Sequence, residues 1–247
     1  MNLEYRSPDF DTYKMDYPNP HVRIESMEQE IAVVDFALTT LKNAGIIPTT
    51  DYDHEKMLAH RKAVEDLFEI PWTAITHRMQ RLIWAVNAII KPENMLAAGI
   101  FCGNTFISNA GAGVGPGAVY TAHDLIGVEI KPEEAERAER NVRRIDPTGV
   151  AHIVAADAVQ VAADYPGQIQ VLYLDADGDA ARGKGIYYDI LQAAWDRLPK
   201  GAVVMAHNSV NCVDRLQGYL DWVRDTKNMR ASVNVIFDVE GLEVSVK

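Results

Sequence analysis

The chain has 247 residues, enough for one large α/β domain or two small ones with a real core. Its formal net charge of −11 works against nucleic acid and anionic membranes as general partners, because both repel an acidic surface. Cys102 and Cys212 alone make neither a disulfide framework nor a cysteine zinc site, which suits the reducing cytoplasm.

The opening MNLEYRSPDF has no apolar run and predicts no secretory leader. Residues 1–25 carry Tyr5, Tyr13, Tyr17, Pro8, Pro18 and Pro20 without periodicity, and predict an extended arm draped over the body or over a partner subunit. Ser26 is then placed to cap a helix, with Glu28 and Glu30 in its first turn. Ile31, Val34, Leu38 and Leu41 follow at helical spacing, and Gly45 ends the run. Residues 53–68 predict a more polar helix broken at Pro71, and residues 76–90 a third helix, with Met79, Leu82, Ile83, Val86 and Ile90 on one face. Its apolar part, residues 82–90, is too short to span a bilayer.

From Glu93 onward short apolar runs alternate with helical segments. Strands are predicted over residues 95–100, 125–129, 151–155, 171–175 and 202–206, with helices over 131–144, 183–198 and 213–226. Pro132, Glu133 and Glu134 open the first of these helices and Arg143 and Arg144 close it, as the helix dipole favours. Residues 232–237 and 242–246 predict a closing hairpin around Gly241. Such alternation implies a mostly parallel sheet, covered by helices on both faces and ending in an antiparallel hairpin strand. The N-terminal helices would cap the same unit, so the chain reads as one α/β domain: arm 1–25, helical cap 26–92, Rossmann-like core 93–247.

Ligands of open α/β sheets bind beyond the carboxyl ends of the strands, near the point where strand order reverses. Here those ends hold Gly99, Phe101 and Gly103, then Glu129, Asp157, Asp175, and the pair His207 and Asn208. Gly99 and Gly103 permit a tight turn and a close backbone approach, with Asn104 and Thr105 opening the next helix; a plain strand–helix turn would look the same. Glu129 is placed to accept the hydroxyls of a ribose, although it falls about six residues beyond the usual spacing of roughly 20. The insert Gly111-Ala-Gly113-Val-Gly115-Pro-Gly117 accounts for the excess. It imitates a phosphate loop but follows a helix and has Pro116 where the last glycine belongs. Asp157, followed by Ala158, suits either an adenine amino group or simple helix capping. Asp175 ends a very apolar strand and needs a partner there. With His207 and Asn208 it offers ligands for a divalent ion or groups for proton transfer.

Together, Ala98-Gly-Ile-Phe-Cys-Gly-Asn-Thr105, Gly127-Val-Glu-Ile130, Leu172-Tyr-Leu-Asp-Ala-Asp177 and Leu198-Pro-Lys-Gly-Ala202 resemble the catechol and caffeoyl-CoA type O-methyltransferases, a class I S-adenosylmethionine-dependent family. The similarity runs from about residue 73 to the C-terminus. It implies methyl transfer from S-adenosylmethionine to a small-molecule acceptor, chiefly at oxygen. By it, Gly99 and Gly103 line the methionine part of the cofactor, Glu129 holds the ribose, Asp157 lies near the adenine, and Phe101, Thr105, Ala158 and Asp175 complete the cofactor-binding set. Asp175, His207 and Asn208 fall on the family's metal positions, implying Mg²⁺, and Asp175 and His207 become the catalytic candidates. The family also implies a homodimer. Three departures stand out: His207 replaces an aspartate, Gly178 replaces the lysine that follows Asp-Ala-Asp, and Ala97 replaces an acid before the first glycine. They leave a non-catalytic cofactor sensor as the competing reading. A nicotinamide dehydrogenase is a third, opposed by the missing third glycine and the terminal hairpin.

Overall fold

The computed structural model describes residues 3–247. Its sixteen principal elements follow the chain in order. Leu3–Arg6 is β1. Met27–Asn43, His54–Leu67 and His77–Ile90 are α1, α2 and α3. Then come β2 (Asn94–Ala98), α4 (Asn104–Ala110), β3 (Asp124–Glu129), α5 (Pro132–Ile145), β4 (Ala151–Ala155) and α6 (Ala158–Asp164). The chain closes with β5 (Val171–Leu174), α7 (Ile186–Ala194), β6 (Val203–His207), α8 (Val213–Arg224), β7 (Ala231–Ile236) and β8 (Leu242–Val246).

The strands form one sheet in the order β1-β7-β8-β6-β5-β2-β3-β4. Every pairing is parallel except those of β8, which runs antiparallel between β6 and β7. The mostly parallel sheet with an antiparallel C-terminal strand is therefore as expected. The addition is β1, which lies in the segment read as an arm and pairs in parallel with β7 from Leu3 opposite Val233 to Arg6 opposite Ile236.

Strand alternation divides the core in two. Met95, Ala97, Val171, Tyr173, Val203 and Met205 face the side covered by α1 to α5. Leu96, Ala98, Leu172, Leu174, Val204 and Ala206 face α6, α7 and α8. Both faces are apolar because helices cover both, which is why these strands read as continuous hydrophobic runs.

The helical cap is pinned by charge as well as packing. Glu30 of α1 accepts from Arg61 at 2.7 and 2.8 Å and from Arg81 Nε at 2.5 Å, all three side chains being buried. Arg78 of α3 donates to both oxygens of Asp9 and both of Glu25, and its guanidinium lies 3.7 Å from the centre of the Tyr13 ring. The N-terminal segment thus lies on the body of its own chain. The backbone N–H of Thr73 donates to the carbonyl of Tyr17 at 3.1 Å.

Candidate active site

Sheet order reverses between β2 and β5: the chain leaves β2 toward β3 and β4, and from β5 onward builds on the opposite side. The carboxyl ends of the strands around this point open into one cleft of about 890 Å³. Its wall includes Gly99, Phe101, Thr105, Glu129, Asp157, Ala158, Asp175, His207 and Asn208. Gly103 is not part of that wall. It caps α4 in the left-handed region at φ +89°, and a Cβ there would lie 3.2 Å from the Cβ of Ala138, so its smallness serves contact with α5.

Gly99 has φ +77°, and a Cβ there would lie 2.2 Å from the Cα of Ala176, inside the backbone that follows β5. Only glycine lets the β2 and β5 ends meet this closely. Phe101 adopts φ +50° without being glycine, a conformation that costs energy and is concentrated at functional turns. Its N–H donates to Oε2 of Glu129 at 2.9 Å, and the N–H of Lys131 donates to Oε1 at 3.1 Å. Glu129 is thereby fixed, yet each carboxylate oxygen keeps acceptor capacity for a ligand hydroxyl. Asp157 takes the N–H of Val159 on Oδ1 at 2.8 Å, so it caps α6 and lines the cleft at once. The rings of Trp72 and Phe101 lie 5.0 Å apart on the cleft wall, and Trp72 is half exposed.

The other half of the cleft is a chain of charges. The Lys184 ammonium donates to Oδ1 and to the main-chain oxygen of Asp175, both at 2.9 Å, and stands 3.5 Å from Asp177. His207 Nδ1 lies 3.4 Å from the same Asp175 oxygen, and its Nε2 lies 3.1 Å from Oε2 of Glu240. Tyr17 reaches back to donate to the other Glu240 oxygen at 3.3 Å. Burial pushes the His207 pKa down, but Asp175 and Glu240 outweigh it and lift it to about 10. Burial raises Asp175, but Lys184 and His207 together hold it below its ordinary value. Lys184 is desolvated, yet Asp175 and Asp177 raise its pKa. Neither Asp175 nor His207 is therefore poised to take a proton near neutral pH: one is a stabilised anion and the other already carries its proton.

The residues on the metal positions do not fit a divalent ion. Asp175 already faces two cations, and His207 turns each ring nitrogen toward a carboxylate. Among the described residues no group of three or more His, Cys, Asp and Glu side chains is arranged to hold a metal.

Residues 96–209 match a family described as a methyltransferase domain. The matched segment, somewhat less than half of the chain, is similar to that family. Solved structures share the fold of the chain. Cofactor-bound Rv0187 from MTB is 17% identical, with a TM-score of 0.60 over 78% of this chain and 90% of that one. An O-methyltransferase from Bacillus cereus in complex with SAH is 13% identical, with a TM-score of 0.57 over 88% and 100%. TomG, an O-methyltransferase from Streptomyces achromogenes in complex with SAM, is 16% identical, with a TM-score of 0.54 over 90% and 99%. No curated protein matches the chain in sequence.

Two site residues escape a reading of the sequence. Lys184 sits seven positions beyond Asp177 in Arg182-Gly-Lys-Gly185, where the sequence puts it in the first turn of the helix over 183–198. A short helical turn at Gly183–Gly185 instead folds it back over Asp175. Glu240 reads as a hairpin residue, yet it is buried beneath His207. The glycine insert, by contrast, does lie apart from the cleft wall. A Cβ on Gly111 would lie 2.2 Å from the His60 ring, so that glycine serves packing against α2. No helix among the described residues is long and apolar enough to cross a membrane.

Proposed function

We propose that this enzyme transfers the methyl group of S-adenosylmethionine to an oxygen of a small-molecule acceptor. The observation that carries the proposal is the meeting of Gly99, Glu129 and Asp157 with Asp175 and His207 in one cleft at the switch point. The first three suit a nucleoside-bearing ligand, and the last two stand where an acceptor would be oriented. The sulfonium supplies an activated methyl group when bound. The work left to this chain is positioning, and holding two reactants at attack distance supplies on the order of 7–11 kcal/mol.

Glu129, held by two backbone N–H groups, would receive the ribose hydroxyls. Asp157 and Ala158 would border the adenine, and Gly99, Phe101 and Thr105 the methionine part. Gly103 would act one layer behind, by holding α4 against α5. Asp175 and His207 would set the field at the acceptor oxygen as a carboxylate and an imidazolium, rather than by removing its proton. The acidic charge leaves nucleic acid and anionic membranes outside the proposal. A single unit over residues 1–247, a homodimer and a cytoplasmic setting complete it, and sedimentation equilibrium checks the dimer.

The competing sensor reading draws on the missing lysine at Gly178, and Lys184 weakens it by bringing an ammonium to Asp175 from elsewhere in the chain. Incubation with methyl-labelled S-adenosylmethionine and a panel of phenols, catechols and other hydroxylated metabolites tests the choice. Labelled ether product, reduced in Asp175→Asn, is expected. Saturable cofactor binding with no product across the panel would favour the sensor.

A further inference from the structure

The donor set around Asp175 has a consequence for the reaction, on the reading that this cleft transfers methyl groups. The Lys184 ammonium has three N–H donors; two are held by Asp175, through Oδ1 and the main-chain oxygen, both at 2.9 Å, and Asp177 Oδ2 stands 3.5 Å away. This lysine is largely buried, with its side chain 12% exposed, and it borders the cleft. On the far side of Asp175, His207 lies between that carboxylate and Glu240, one ring nitrogen toward each. The Asp175 oxygen that a metal would take, Oδ1, is already in contact with both Lys184 and His207. A divalent ion would have to displace the Lys184 ammonium to find a ligand there.

We infer that this site works without a divalent cation, with the Lys184 ammonium as the positive charge that the acceptor oxygen meets. In metal-assisted transfer to a hydroxyl, the ion stabilises the oxyanion and orients it. Lys184 offers the same sign of charge from a protein group, held by Asp175 and reaching the cleft from the turn before α7. Asp175 orients Lys184, and Glu240 positions His207 on the other side. An acceptor that needs two vicinal oxygens chelated to one ion is then not required. A single phenolate, its proton already lost to solvent, is enough for an ammonium: the O–CH3 bond forms as the S–CH3 bond breaks and S-adenosylhomocysteine leaves.

The test reads metal binding directly. Chelator-treated protein is titrated with Mn²⁺ while electron paramagnetic resonance follows the free ion, in wild type, Lys184→Met and Asp175→Asn, each folded by circular dichroism. The expected result is no stoichiometric Mn²⁺ site in the wild type at micromolar concentrations. A site that appears in Lys184→Met, where Asp175 and Asp177 lose their ammonium, would add support. Stoichiometric Mn²⁺ binding by the wild type that Asp175→Asn abolishes would overturn the inference. S-adenosylhomocysteine binding is measured by calorimetry on the same chelated samples. Its absence would remove the methyl-transfer reading, while the metal result would still stand by itself. Where a turnover assay is in hand, chelator should leave the rate unchanged, and Lys184→Met should lower kcat at least tenfold while Lys184→Arg retains part of it. A rate lost to chelator and restored by Mg²⁺ would contradict the inference.

Discussion

Glu30 in the helical cap faces Arg61, Arg81 and, at 3.4 Å, Arg23, and Asp175 at the cleft faces Lys184 and His207, but the two clusters are closed in different directions. Glu30 has both oxygens bound by Arg61 and one also by Arg81, with all three side chains buried. Asp175 meets Lys184 and His207 at the wall of an 890 Å³ cavity, and beyond it His207 and Glu240 face each other at 3.1 Å without an aligned hydrogen bond. Charge that serves the fold is spent on its protein partners. Charge that serves a ligand keeps part of its field pointing into open space.

That difference can be broken from either side. The largest effect on folding is expected for Glu30→Ala, which leaves Arg61 and Arg81 buried without their anion and should cost about 3–5 kcal/mol in urea denaturation. A loss under about 1 kcal/mol would mean that the cap does not depend on this cluster. Gly99→Ala comes next. Its Cβ meets the backbone of Ala176, and overpacking of that kind costs roughly 1–3 kcal/mol before the φ +77° strain is added. Calorimetry should show S-adenosylhomocysteine binding weakened at least tenfold. Glu129→Gln removes a charged acceptor worth about 1.5–3 kcal/mol, so affinity should fall roughly 10- to 100-fold with the circular dichroism spectrum unchanged. An unchanged affinity would take Glu129 out of the ribose site.

The last effect is a slope with pH. Unfolded His207 titrates near the ordinary 6.5, and the folded residue near about 10. The folded state holds the proton more tightly, so this stabilisation is complete below 6.5 and is lost as pH rises through about 10. The urea midpoint of the wild type should fall across that window, and less steeply in His207→Gln. Parallel slopes in the two proteins would show that the imidazolium is not held between its two acids.

The cleft was largely legible in the sequence because strand ends are punctuated. An apolar run that stops at a glycine, an acid or a histidine marks both the strand and its carboxyl end, and Gly99, Glu129, Asp157, Asp175 and His207 all carry that mark. What escaped depends on contacts far along the chain. Leu3–Arg6 is four residues without a hairpin partner, and only the edge of β7 makes it a strand. Lys184 and Glu240 come from loops, whose course is set by the elements they join and not by any local period. Gly103 lies outside the cleft wall, and the close neighbour of a Cβ there would be Ala138.

The central claim, that residues from five strand ends build a site for S-adenosylmethionine, is tested most directly by titrating the purified protein with S-adenosylhomocysteine and, separately, with NAD in a calorimeter. The account predicts one saturable S-adenosylhomocysteine site per chain, weakened by Glu129→Gln, and no heat of binding from NAD. Saturation by NAD with no response to S-adenosylhomocysteine would contradict it.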